Sequence, residues 1–272
     1  MCIRDRIKAG EYLLDASMLP REIADTLVKG RVITYRVTIP EGLTAREIAS
    51  ILKDKGIIED EEEFLRLAFD SEFVRSLGLE GETVEGFLFP DTYFFPHHLS
   101  ARRVIQEMVA NFRRVYTPEF SERAKELGLS DLEVVILASI IEKETGKPEE
   151  RPLVSAVFHN RLRKGMPLCS DPTVIYGIKD FDGNLTKEDL QSPSPYNTYL
   201  FVGLPPTPIS NPGKDSILAA LYPAPVDYLY FVSRNDGTHQ FSSSLRDHQR
   251  AVAIYQLHKA GLKKGQKRRR RK

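Results

Sequence analysis

The chain reads as an α+β protein in two parts, a small βααβ module over residues 33–95 followed by a mixed α+β domain over residues 96–262. Three observations predict this. Residues 33–39 alternate with β-branched side chains, reach a Pro-Glu-Gly turn, and are followed by two short amphipathic helical patterns. Residues 132–141, Leu-Glu-Val-Val-Ile-Leu-Ala-Ser-Ile-Ile, are apolar on nearly every side of a helix, as a buried helix must be. Near the end, a strand pattern at 227–233, the turn Asn235-Asp236-Gly237 and a second strand at 238–242 make a hairpin. A length of 272 residues suits one large or two small domains, and 41% hydrophobic with 28% charged residues excludes wholesale disorder.

Residues 1–32 are an N-terminal segment whose opening, Met-Cys-Ile-Arg-Asp-Arg, leads into no recognisable element and reads as a truncated or partly artefactual start. A faint repeat follows: Arg21-Glu22-Ile23-Ala24 recurs as Arg46-Glu47-Ile48-Ala49. In the second copy Thr44 caps a helix over 45–53 with Ile48, Ile51 and Leu52 on one face, and Gly56 closes it. A second helix is expected at 61–69, and residues 87–95, broken by Pro90, supply the returning strand. A long amphipathic helix at 101–116 is expected to begin the second domain, with another at 120–127. The buried helix starts at the cap Ser130, with Glu133 at capping-box spacing, and stops at Gly146 and Pro148. A helix at 152–164 has proline near its first turn and Gly165 past its end. Residues 170–213 carry seven prolines and read as irregular but rigid, because proline fixes φ. A helix over 244–260 closes the domain.

The formal net charge is +1, yet residues 263–272 hold eight Lys or Arg and no acid, so the remainder sums to about −7. That run reads as a disordered basic tail with loose attraction to anionic surfaces; no nucleic-acid reading module accompanies it, so no specific nucleic acid is expected as a partner. The two cysteines, Cys2 and Cys169, give neither a disulfide framework nor metal-ligand spacing. No apolar run approaches the roughly 18 residues of a membrane span, and no signal peptide is visible.

The chemistry centres on Ser-Ile-Ile-Glu-Lys-Glu-Thr at 139–145. On a helical wheel Glu142 continues the line of Val135, Ala138 and Ser139, a face buried one turn earlier. A carboxylate there loses hydration, holds its proton longer and suits a general acid; the alternative is a helix end that simply emerges into solvent. Other polar residues could converge on it: Asn160, then Asp171, Thr173 and Tyr176, then Tyr196, Asn197 and Tyr199, and His239 on the hairpin. Tyrosines beside amides and hydroxyls suit a carbohydrate cleft, where flat rings pack on sugar C–H faces. No Gly-x-Ser-x-Gly elbow, P-loop or dinucleotide glycine pattern occurs, and neither a metal nor another cofactor is expected.

Taken together, Ala-Ser-Ile-Ile-Glu-Lys-Glu-Thr at 138–145, Val-Phe-His-Asn-Arg-Leu at 157–162, Asp-Pro-Thr-Val-Ile-Tyr-Gly at 171–177, Tyr-Asn-Thr-Tyr at 196–199, Gly-Leu-Pro-Pro at 203–206 and Asn-Pro-Gly at 211–213 resemble the endolytic murein transglycosylase family, MltG or YceG-like. The match runs in one order from about residue 7 to 260. The resemblance implies a LysM-like peptidoglycan-binding module at 33–95 and a YceG-like catalytic domain at 96–262. It also implies a single-pass anchor in the cytoplasmic membrane, missing from this sequence, with the enzyme part outside and peptidoglycan synthases as candidate partners. The implied reaction is a lytic cleavage of the MurNAc–GlcNAc bond within peptidoglycan glycan strands, leaving 1,6-anhydro-MurNAc ends. The implied catalytic acid is the first Glu of Glu-Lys-Glu, Glu142, whose replacement by Gln is expected to abolish the reaction without unfolding. Competing readings are a two-carboxylate muramidase with Asp171 or Glu144 as the second group, a non-enzymatic peptidoglycan-binding scaffold, and a nucleic-acid binder acting through the tail.

Overall fold

In a computed structural model, residues 10–257 are described, arranged in two compact units, Met1–Arg113 and Arg114–Lys272. The opening six residues, Cys2 and the basic run at 263–272 lie outside the described residues.

The first unit contains the expected βααβ order with additions. Strand β1 (Tyr35–Thr38) pairs antiparallel with β2 (Thr92–Phe95), Tyr35 opposite Phe95 and Val37 opposite Tyr93. Both strands are shorter than the sequence pattern: β1 covers only the centre of 33–39, and Phe87, Leu88 and Phe89 turn into the core ahead of Pro90 instead of pairing. Both copies of the repeat are helices, α1 (Pro20–Lys29) and α2 (Ala45–Asp54). In each the third residue is a glutamate that reaches back: Leu19 N donates to Glu22 Oε2 at 2.8 Å, and Thr44 N to Glu47 Oε2 at 2.7 Å. The repeat is therefore a helix-start signal, two donors that would otherwise be orphaned being satisfied by the same device. Buried Ile48, Ala49 and Leu52 of α2 face α3 (Glu61–Ala68) and its Phe64. A short α4 (Ser71–Ser76) follows, capped by Asp70, which accepts from Glu72 N and Phe73 N.

Helix α5 (Ala101–Val115) belongs mainly to this first unit and does not open the second. Its Phe112 meets Phe87 edge-on at 5.1 Å, and Asn111 donates to Asp91 at 2.9 Å.

The second unit is built around α7 (Asp131–Glu144). Every side chain from Val134 to Ile141 is buried. Each fully buried aliphatic there contributes on the order of 2 kcal/mol. Ser130 makes the expected capping box with Glu133. Packed on α7 are α6 (Pro118–Leu127), α8 (Arg151–Arg163), α9 (Asp171–Tyr176) and α10 (Lys214–Leu221). Two of these were not legible as helices: α9 lies inside the proline-rich stretch, where Pro172 takes the permitted first-turn place, and α10 follows Gly213. The hairpin forms as expected, β3 (Tyr230–Ser233) pairing with β4 (His239–Ser242). It packs on α8 through Phe158 and Phe231, edge-on at 6.0 Å. The closing helix α11 (Leu245–Val252) runs into a π-helical turn, Ala253–Leu257.

Candidate active site

The last turn of α7 carries two glutamates that point to different neighbours, as residues two apart on a helix must. Glu142 faces inward. Its Oε1 accepts from Arg151 Nη2 at 3.0 Å and its Oε2 from Gly213 N at 2.9 Å. The pair is nearly enclosed, the side chains being 8% exposed for Arg151 and 7% for Glu142. Arg151 also approaches Asp215 Oδ2 at 3.5 Å. Both oxygens of Glu142 are engaged by donors of the protein itself. The expectation that Glu142 donates a proton meets an ion pair that ties the start of α8 and the end of the proline-rich segment to α7. The wheel line through Val135, Ala138 and Ser139 does lead to a buried place, but a buried place already occupied by a guanidinium.

Glu144 faces the other way. Ser170 Oγ donates to its Oε1 at 2.5 Å, and among the described residues its Oε2 has no hydrogen-bond partner. Loss of water around the carboxyl dominates and, despite the Ser170 bond, holds its proton up to about 7, against an ordinary value of 4.5. Nearby Asp171 pushes in the same direction, while His239 and Arg161 push against it. Glu144 therefore meets both demands on a general acid: a proton retained near neutrality and an oxygen free to give it.

The surroundings of Glu144 are firmly held. Ser170 is buried; its N–H donates to Thr198 Oγ1 at 3.0 Å and its carbonyl accepts from Thr173 Oγ1 at 2.7 Å. Asp171 accepts from the Tyr199 hydroxyl at 2.6 Å; burial first, and then that bond, raises the phenol's affinity for its proton. Buried Arg161 donates to Leu229 O and Leu168 O, at 2.7 and 2.6 Å, fixing a positive charge within reach of Glu144. His239 is gripped by Glu150, its backbone N–H donating to Oε1 at 2.8 Å and its Nδ1 lying 2.7 Å from Oε2.

Of the residues singled out from sequence, Asp171, Tyr199 and His239 gather around Glu144. The others do different work. Asn197 is fully enclosed: its Nδ2 donates to Leu190 O and Ser192 O, and its Oδ1 accepts from Tyr199 N. Thr173 is equally enclosed and braces Ser170 and Thr198. Both shape the loop and offer no surface to a substrate. Asn160 points away, donating to Val226 O and Tyr228 O at 3.0 and 2.8 Å, on the wall of a separate groove of about 1040 Å³. Tyr196 bonds Thr207 at 2.9 Å, with its ring against Tyr176 at 5.0 Å; both are half-buried. Sequence reasoning missed Glu150 and noted Ser170 only as a neighbour of Asp171; Glu144 figured only as a second carboxylate. The usable signal for Ser170 was its place just before Asp171-Pro172, where the chain turns into a helix. Among the described residues no cluster of three or more His, Cys, Asp or Glu could hold a metal ion, and no helix is long and apolar enough to cross a membrane.

The sequence profile of the YceG-like family matches residues 2–254. The chain belongs to the YceG-like family. Its curated relatives carry the name endolytic murein transglycosylase, as the motif resemblance implied. That of Bacillus subtilis (strain 168) is 33% identical over 264 residues, spanning 91% of this chain and 73% of the relative. That of Streptococcus pneumoniae serotype 2 is 31% identical over 278 residues, spanning 91% of this chain and 50% of the relative. A crystal structure of a yceG-like protein from Listeria monocytogenes superposes with a TM-score of 0.72 at 34% identity, covering 90% of this YceG-like chain and 84% of that one.

Proposed function

We propose that this protein is an endolytic murein transglycosylase, a lyase that cuts the MurNAc–GlcNAc bond within peptidoglycan glycan strands, with Glu144 as its acid and base. The observation that carries this reading is the Glu144 carboxyl, held on one oxygen by Ser170, open on the other, and retaining its proton to about 7. Glu144 protonates the glycosidic oxygen, and positive charge develops at the muramic anomeric carbon. The deprotonated carboxylate then takes the proton of the muramic C6 hydroxyl, whose oxygen closes the 1,6-anhydro ring. No water is consumed, and one carboxyl serves both steps. Intramolecular attack gains effective concentration provided the sugar is held in place. Tyr199, Asp171 and His239 stand where they could hold it. The reading places the βααβ part of the first unit as a LysM-like glycan-binding module. It places the enzyme outside the cytoplasmic membrane, where its substrate lies, near the synthases that extend the strands.

A second reading rests on Asp171, the carboxylate beside Glu144. A water activated there would make the enzyme a muramidase, whose product is heavier by one water. Mass spectrometry of fragments released from uncrosslinked glycan strands tests both: anhydro ends support the lytic reaction, and reducing ends alone overturn it.

A pH dependence follows from the same carboxyl. The free enzyme must carry the Glu144 proton, so kcat/KM should hold steady below about 7 and fall about tenfold per pH unit above it. A profile rising through pH 7 would assign Glu144 the opposite role.

A further inference from the structure

Glu150 sits six residues after Glu144, buried, at the foot of α8. It uses both oxygens on one residue of the hairpin: His239 N–H on Oε1 at 2.8 Å and His239 Nδ1 on Oε2 at 2.7 Å. Thr145, the residue directly after Glu144, also reaches Glu150 Oε2, at 3.4 Å. The same carboxylate thus joins the turn that carries the acid to the strand that carries the imidazole. A carboxylate accepts and does not donate, so Nδ1 of His239 holds the hydrogen. In the neutral ring Nε2 is then a bare acceptor, and among the described residues it has no hydrogen-bond partner. The ring meets Phe231 edge-on at 5.5 Å and Phe241 at 6.4 Å, contacts that favour its present orientation.

We propose that Glu150 is a positioning residue of the site assigned above: it fixes the ring orientation and tautomer of His239 so that Nε2 accepts a hydrogen bond from a hydroxyl or N-acetyl N–H of the glycan beside Glu144. This rests on the reading of Glu144 as the acid. The charged and titratable groups about the ring and the acid are Glu144 of α7, Glu150, Arg161 of α8, and Cys169, Asp171 and Tyr199 of the loop and α9. A ring presenting a donor in place of an acceptor would oppose an N-acetyl N–H, and would make a hydroxyl turn round from donor to acceptor.

Glu150→Gln separates the positioning role from a structural one, because the side chain keeps its size. Its amide oxygen still accepts from the His239 N–H, but its amide nitrogen now donates to Nδ1. The ring is driven to the opposite tautomer, with hydrogen on Nε2. Nitrogen-15 NMR of the histidine side chains in the whole protein reads this directly, His239→Gln identifying the resonance. We expect Nδ1–H in the wild type, Nε2–H in Glu150→Gln, and turnover of uncrosslinked glycan strands lowered about 100-fold in the variant. Because Glu150 acts through the ring, adding Glu150→Gln to His239→Gln should cause no further loss. An unchanged tautomer, or the same loss in both backgrounds, overturns the proposal. The tautomer needs no turnover to be read, so an active Glu144→Gln enzyme would overturn the acid assignment while leaving the ring-orienting result separately measurable. Should Glu150→Gln fail to fold, Glu150→Asp, which shortens the reach but keeps both acceptors, should retain the Nδ1–H signal and recover turnover over Glu150→Ala; failure to do so also overturns it.

Discussion

Glu144→Gln is expected to abolish release of anhydromuramic ends, lowering kcat by about 100-fold or more, while Glu142→Gln keeps most of its turnover per folded molecule. The two side chains are separated by one residue and differ in what they touch: Glu144 has an unengaged oxygen, Glu142 has none. High-performance chromatography of muropeptides from treated glycan strands measures it. Anhydro product from Glu144→Gln at the wild-type rate would end the assignment. The same variant carries a second signature. A carboxyl whose proton is held to about 7 in the folded chain, against 4.5 ordinarily, binds more protons folded than unfolded between those values. Its contribution to stability is therefore lost as pH rises from about 4.5 to 7, and the ionised group is a burden above that. The amide has no such burden, so Glu144→Gln should be more stable than wild type at pH 8, by up to about 3 kcal/mol, with no gain at pH 4. A gain in stability on removing a buried ionisable group is the expected trade-off where that group serves function.

Glu142→Ala should show the reverse pattern, a large loss of stability. Removing the carboxylate takes an acceptor from the Arg151 guanidinium in a site where it is 8% exposed, and strips the Gly213 N–H of its acceptor. Breaking a buried pair from one side costs about 3–5 kcal/mol. Urea unfolding of the whole chain measures it, and Glu142→Ala/Arg151→Met should recover part of the loss because the buried charge is gone. Wild-type stability in Glu142→Ala, together with lost anhydro product, would return the acid's role to Glu142.

The sequence was informative about elements with strong local signals and less so about partners across the fold. The capping box at Ser130, the uninterrupted apolar run of α7 and the Asn-Asp-Gly hairpin turn all depend on near neighbours, and each appears where the pattern put it. Helices α4, α9 and α10 are short and lean on tertiary contacts, and the caps Asp70 and Gly213 and the first-turn Pro172 were the only local trace. The candidate site followed the same division. The Glu-Lys-Glu segment was recognisable, and so were Asp171, Tyr199 and His239. Choosing between its two glutamates required knowing that Arg151, nine residues on, folds back onto one and Ser170, twenty-six residues on, onto the other. Periodicity reports which face is buried, and here the inward face holds the Arg151-paired carboxylate while the outward one holds the carboxyl proposed as the acid.

The two glutamates also have a joint effect. Ser170 stands at one end of the proline-rich stretch and Gly213 at the other, and both ends are fastened to a single turn of α7, one by Glu144 and one by Glu142. The stretch is a hoop clasped at its base. Lengthening a hoop whose ends stay put adds little closure entropy, about 0.6 kcal/mol for each doubling. The exposed residues 182–184 of that stretch can thus be exchanged or extended without either end of the clasp moving.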